Sequence, residues 1–183
     1  KSGIKPEDIL CLTFTRKATK EMEDRITKII KEDGLDFDFS DLNVFTFHSY
    51  ALDNLDESNL VSPNLLRYSI FRYLKDNETL TYGDRYLLET IVPKMENLIR
   101  YLKSFGVTCE EIDVDDVKNY ISDFKTFTKE ELELFLEEFV KIYGFYEEIK
   151  RSHGLDYTDM LLDFLKMKKI PKFKYVLVDE LQD

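Results

Sequence analysis

Three short runs of apolar residues stand apart from the rest of the chain: Ile9-Leu10-Cys11-Leu12-Thr13-Phe14, Val44-Phe45-Thr46-Phe47-His48-Ser49 and Tyr175-Val176-Leu177-Val178. Runs of this length predict short strands, and the unalternating third reads as a parallel strand covered on both faces. After the first, Thr15 can cap a helix whose apolar stripe is Ala18, Met22, Ile26 and Ile29. From about Leu52 to Ser152 the strand-like runs vanish and helical spacing takes over. Pro63 opens a helix carrying Leu66, Ile70 and Leu74. A second, over 83–103, carries Leu87, Leu88, Ile91, Met95, Leu98 and Leu102, and Pro93 inside it predicts a kink or break. A shorter helix is expected near Val114 to Phe124. A capping box at Thr128-Lys129-Glu130-Glu131 then opens a stripe of Leu132, Phe135, Leu136, Phe139, Tyr143 and Tyr146. After Gly154 a last helix is expected to bury Tyr157, Met160, Leu161, Phe164 and Leu165. Strands at both ends around a helical block predict an α/β lobe with an all-α insertion. The expected division is 1–51 with 153–183, and 52–152.

Composition narrows the class. With 43% hydrophobic residues among 183, the chain can bury a sizeable core. No apolar run reaches the roughly 20 residues a membrane helix needs. Cys11 and Cys109 lack metal spacing and read as reduced thiols, so a cytoplasmic location is expected. A net charge of −11 argues against nucleic acid until its distribution is seen. Residues 1–31 carry +3, residues 166–174 hold five lysines and no acid, and residues 32–165 carry −16. The flanks are basic and the middle is acidic. A chain that opens on Lys1 and closes at the tip of a motif is expected to be part of a longer polypeptide.

Three ends of strands carry candidate chemistry. Arg16, Lys17 and Lys20 sit at the first turn of the helix after Thr15, where cations oppose the macrodipole but an anion is favoured. Thr13 to Ala18 therefore reads as a phosphate-receiving turn with Phe14 as a stacking surface, or as a strand-to-helix turn with solvated lysines. His48 and Ser49 can contact phosphate oxygens and Phe47 can pack on a base, although a lone His is more often a structural hydrogen bonder. At the end of the third strand, Asp179 can hold Mg²⁺ and Glu180 can orient or deprotonate a water; two solvated acids is the plainer reading.

These segments together resemble the N-terminal part of UvrD/Rep-type superfamily 1 DNA helicases. Leu12-Thr13-Phe14-Thr15-Arg16-Lys17-Ala18 with Glu21-Met22 is similar to helicase motif Ia, a single-strand DNA contact, with Arg16 and Thr19 where the family usually has Asn and Ala. Thr46-Phe47-His48-Ser49-Tyr50 resembles the next DNA-contacting motif. Leu155-Asp156-Tyr157-Thr158-Asp159-Met160-Leu161 is similar to the segment that closes the family's helical insertion. Val176-Leu177-Val178-Asp179-Glu180-Leu181-Gln182-Asp183 resembles the Walker B signature.

The resemblance implies an α/β fold: a partial RecA-like (P-loop NTPase) parallel-sheet lobe with a large all-α inserted subdomain. It implies ATP and Mg²⁺ as cofactors, with Asp179 on the metal, Glu180 as the catalytic residue and Gln182 at the nucleotide. It implies that Thr13, Phe14, Thr15, Arg16, Lys17, Thr46, Phe47, His48 and Ser49 line a DNA path. Expected partners are single-stranded DNA and single/double-strand junctions, no membrane, and proteins docking on the acidic helices. The implied activity is ATP-driven translocation and duplex unwinding in repair or recombination. Family members place a Gly-x-x-x-x-Gly-Lys-Thr loop roughly 30 residues before motif Ia. None of the six glycines here precedes a lysine, so these residues by themselves are expected not to be an ATPase. Two alternatives stay open: part of a helicase-nuclease subunit, and a non-catalytic helical interaction module with vestigial motifs.

Overall fold

The computed structural model describes residues 4–55, 59–77, 83–115 and 129–180, apart from the side chains at 129 and 131. The helix expected near Val114 to Phe124 and the capping box at Thr128 lie largely outside the described residues. The chain forms two compact units, Lys1–Glu57 with Met160–Asp183, and Ser58–Asp159.

The first unit is α/β. Strands β1 (Ile9–Thr13), β2 (Asn43–Thr46) and β3 (Tyr175–Val178) form a parallel sheet in the order β2-β1-β3. Register places Thr13 opposite Thr46, Ile9 opposite Tyr175 and Leu12 opposite Val178. Helix α1 (Arg16–Asp33) follows β1, and the Thr15 hydroxyl accepts the Ala18 N–H at 3.1 Å. It ends at Gly34, whose φ of 60° is the left-handed cap conformation that favours glycine. Along α1, Ala18, Met22 and Ile26 are half-buried as expected, but the stripe ends on buried Ile30 rather than Ile29, which is exposed.

Two strand expectations need correction. β2 stops at Thr46, and Phe47–Asn54 forms helix α2, so Phe47, His48 and Ser49 make a first helical turn rather than a strand end. The cause is local. The Thr46 hydroxyl accepts the Ser49 N–H at 3.1 Å and the Ser49 hydroxyl accepts the Thr46 N–H at 2.9 Å, a reciprocal cap that makes helix cheaper than extended chain. The second concerns β3, which is parallel as expected but not covered: Tyr175, Val176 and Leu177 are about half exposed. Among the described residues it pairs on one side only, with β1. An aliphatic run shows that both faces suit apolar cover; it does not supply the cover.

Tyr50 of α2 is the centre of this unit's core, with Leu10 and Leu12 from the sheet. Its ring meets Phe45 at 5.7 Å, Phe164 at 5.4 Å and Phe173 at 6.3 Å. The hydroxyl is buried with no hydrogen-bond partner among the described residues. An unsatisfied buried hydroxyl costs about 1–3 kcal/mol, so Tyr50→Phe is expected to leave stability unchanged or raise it by about 1 kcal/mol. A loss of that size in urea unfolding would show that the hydroxyl is satisfied in solution.

The second unit is helical: α3 (Leu65–Asn77), α4 (Asp84–Tyr86), α5 (Val92–Ser104) and α6 (Lys129–Arg151). Its core joins Ile70 and Leu74 of α3, Met95 and Ile99 of α5, and Phe139 and Tyr143 of α6. Pro93 does mark a break, in a specific form. It sits at the start of α5, and Leu87–Ile91 before it winds as a π-turn, which accommodates a residue that cannot donate its N–H. Gly154 has φ 131°, and a Cβ there would meet the Asn59 carbonyl oxygen at 2.2 Å, so a side chain is excluded where Leu155 pairs with Asn59 and Val61. Helix α7 (Tyr157–Lys166) begins beside this closure and buries Met160. Its stripe is narrower than expected, since Tyr157 and Leu165 are exposed.

Candidate functional site

The parallel sheet carries most of the expected site residues to its carboxyl edge, where the chain leaves each strand. From the middle strand come Phe14, Thr15, Arg16 and Lys17, all exposed. From β2 come Thr46 and Phe47, half-buried, with His48 and Ser49 exposed. Because Thr13 and Thr46 are register partners, the capped N-termini of α1 and α2 lie on strands about 4.8 Å apart. The Phe14 and Phe47 rings meet edge-to-face, centroids 5.3 Å apart at 62°. Phe14 remains 48% exposed, enough face for a stacked base.

Charge at this edge suits an anion. Arg16 has no ion-pair partner among the described residues, and Lys17 reaches Glu21 only at 3.9 Å, exposed. Both sit where a helix dipole is positive, a placement that an incoming phosphate relieves. Thr13 is different from its neighbours. It is fully buried, and its hydroxyl lies 2.7 Å from the Thr19 hydroxyl and 3.3 Å from the Thr15 carbonyl. It offers no surface to a ligand and instead holds the turn that presents Phe14 to Lys17. Thr19, the departure from the usual family residue, is the partner that makes this possible.

The acids arrive on β3. The Asp179 N–H donates to the Leu12 carbonyl at 2.9 Å, so Asp179 flanks the end of the middle strand. Its carboxylate is exposed and lines a groove with Ala18, Glu21, Met22, Arg25 and Ile26 of α1. Glu180 has φ 54°, the only non-glycine with positive φ among the described residues. Such strain costs about 1–2 kcal/mol and collects at functional sites. Gln182 lies outside the described residues.

Sequence reasoning missed one constellation altogether, in the helical unit. Lys103 of α5 is 5% exposed, and its ammonium lies 2.8 Å from Glu147, 2.7 Å from Asp156 and 2.7 Å from Asp159. Lys150, equally buried, contacts Glu147 and Asp159, and both ammonium groups lie 5.5 Å from the Tyr146 ring centre. The Tyr146 hydroxyl donates to Asp156 at 2.8 Å. Asp156 also accepts the Thr158 and Asp159 N–H groups, capping α7. Burial works against every charge here. For Lys103 it would lower the pKa, but hydrogen bonds to the carboxylates outweigh it and raise the value. Burial would raise Asp156, yet Lys103 and the cap hydrogen bonds hold it at about 2. Three carboxylates this close could hold a metal ion, but the two ammonium groups already occupy the space among them. A signal was present: Lys103 falls four residues after buried Ile99, and Glu147 and Lys150 interrupt the aromatic stripe of α6.

No described helix is long and apolar enough to cross a membrane. The whole chain, residues 1–183, matches the UvrD/REP helicase N-terminal domain. It is 27% identical to a probable DNA helicase II homolog of Mycoplasma pneumoniae, covering 98% of this chain and 25% of that protein. It is 24% identical to the ATP-dependent DNA helicase PcrA of Leuconostoc citreum, with 99% and 24% covered. Against the ATP-dependent DNA helicase SRS2 of Saccharomyces cerevisiae the identity is 28%, with 98% and 16% covered. The chain thus spans about a quarter or less of the length of these relatives. With the motif residues gathered along one sheet edge, the match over the full chain establishes that it belongs to the UvrD/REP helicase N-terminal domain family.

Proposed function

We propose that this chain is part of an ATP-dependent DNA helicase that couples hydrolysis to translocation on one DNA strand and to unwinding at single/double-strand junctions. In this reading 1–51 with 153–183 is a partial RecA-like lobe and 52–152 an inserted helical subdomain whose acidic surface takes protein partners. The observation that carries it is a single sheet edge bearing two helix N-termini, the Phe14–Phe47 ring pair with Phe14 exposed, the exposed cations Arg16 and Lys17 and, on the adjoining strand, Asp179 and the strained Glu180.

Phe14, Thr15, Arg16, Lys17, Thr46, Phe47, His48 and Ser49 receive the strand, phosphates at the helix N-termini and a base against Phe14. Thr13 positions them from beneath. An exposed carboxylate is the hard oxygen donor that Mg²⁺ accepts alongside nucleotide phosphates, so Asp179 fits a magnesium ligand. Bound magnesium would neutralise charge on those phosphates. Glu180 orients and takes the proton of the attacking water, and Gln182 contacts the nucleotide. The Gly-Lys phosphate cradle is not among these 183 residues.

Arg16→Ala/Lys17→Ala is the test. Single-strand binding, followed by anisotropy across a salt series, is expected to weaken, with the slope of log K against log salt falling by about 1.4 for two lost phosphate contacts. Unchanged affinity in the double variant, or binding indifferent to salt, would refute the assignment.

A further inference from the structure

The connection from α7 to β3 is the most basic stretch of an acidic protein. Residues 166–174 hold five lysines and no acid in a chain of net charge −11. Its two outer lysines are engaged: Lys166 pairs with Asp163 at 3.2 Å and Lys174 with Asp8 at 2.7 Å. Lys168, Lys169 and Lys172 are exposed and have no ion-pair partner among the described residues. Elsewhere in this unit Lys5, Lys17, Lys20 and Lys28 each lie within 4.0 Å of a carboxylate while Lys31, among the described residues, does not, so what sets this stretch apart is three such lysines within five positions.

The stretch is also held in place. Phe164 before it and Phe173 within it both pack edge-on against the Tyr50 ring. Lys174 further donates its N–H to the Asp8 carbonyl. Little ordering entropy remains for a ligand to overcome at its ends.

Its place in the fold separates it from the site already described. Tyr175 pairs with Ile9, the first residue of β1, so the lysines lie at the amino edge of the sheet. Arg16 and Lys17 follow Thr13 at the other edge, about 13 Å away along the strand. A ligand on one edge does not reach the other without running the length of the sheet.

We propose that Lys168, Lys169 and Lys172 form a second nucleic-acid surface, which grips the phosphate backbone at the amino edge independently of the carboxyl-edge site. The proposal rests on the nucleic-acid reading above. Lysine supplies point charges on flexible stems rather than the planar fork that reads bases, so the grip is to backbone and insensitive to sequence. Duplex, with its denser phosphates, is the preferred form.

The test compares Lys168→Gln/Lys169→Gln/Lys172→Gln with Arg16→Ala/Lys17→Ala in the whole chain, against a labelled duplex and a single strand of equal length. The triple variant is expected to lower the duplex salt slope by about 2–3, and the two sets of changes are expected to add. Unchanged duplex binding in the triple variant overturns the proposal; if Arg16→Ala/Lys17→Ala still weakens the single strand, the carboxyl-edge reading stands without it. Loss in the triple variant alone supports the amino-edge surface and sinks the other. If the unaltered chain binds neither nucleic acid at low salt, both fall. Phosphatidylserine vesicles supply the last arm: loss of vesicle binding with nucleic-acid binding intact assigns the lysines to a lipid surface and overturns the proposal.

Discussion

Lys103→Met is expected to destabilise the helical unit by about 3–5 kcal/mol, the cost of removing one partner from a buried ion cluster. The side chain is 5% exposed, and methionine keeps its length and most of its volume. Packing is therefore nearly preserved while Glu147, Asp156 and Asp159 are left facing a single ammonium, that of Lys150. Coulomb repulsion among carboxylates in a low-dielectric site then adds to their desolvation. Urea unfolding followed by circular dichroism reads the loss, with exposed Lys94→Met as the control expected within about 0.5 kcal/mol of the parent. A change below about 1 kcal/mol for Lys103→Met would mean the cluster contributes little net stability. Its pH dependence has a definite sign. Asp156 has a folded pKa of about 2, below its ordinary 3.8, so its contribution is fully present above pH 3.8 and is lost as pH falls toward 2. Lys103 is shifted upward from 10.5, so its contribution is present below that value and is lost only in strong alkali. Asp156→Asn is expected to flatten the acid limb between pH 3.8 and 2; an unaltered limb would assign acid sensitivity elsewhere.

The second large effect lies at Glu180. This chain alone is expected to hydrolyse no ATP, with or without single-stranded DNA, because it lacks the glycine-lysine loop that cradles phosphates. In a longer polypeptide that supplies the loop, Glu180→Gln is expected to lower kcat by on the order of 10²–10⁴, the usual worth of a positioned general base, with KM for ATP little changed. Turnover by the chain alone that disappears in Glu180→Gln would refute the first expectation. Full turnover by the longer variant would remove Glu180 from the chemistry. The backbone gives an independent readout. Since φ at Glu180 is 54°, Glu180→Gly is expected to keep or raise stability, by up to about 1 kcal/mol, while turnover falls. A glycine variant that is less stable would argue against strain at this position.

Local patterns were legible because local physics decides them. The Ile9-to-Thr13 run becomes a strand, Thr15 caps α1, Pro63 precedes α3, and Pro93 breaks the helix around it. The family was legible too, since membership rests on residue identity at fixed spacing. Other features depended on what came from far along the chain. Strand order brought Asp179 beside the end of β1, although 166 residues separate it from Thr13. Thr13 looked like a ligand-facing hydroxyl until its neighbours Thr19 and Phe45 were seen to bury it. β3 looked covered because its aliphatic run reports only what its faces prefer. Lys103, Lys150, Glu147, Asp156 and Asp159 looked like ordinary helix charges, because a sequence gives the number of charges and only the tertiary structure decides which of them lose water together. The sequence by itself determined β1, the cap of α1, the break at Pro93 and the family to which the chain belongs. Tertiary structure decided which ends share an edge, and which charges are buried.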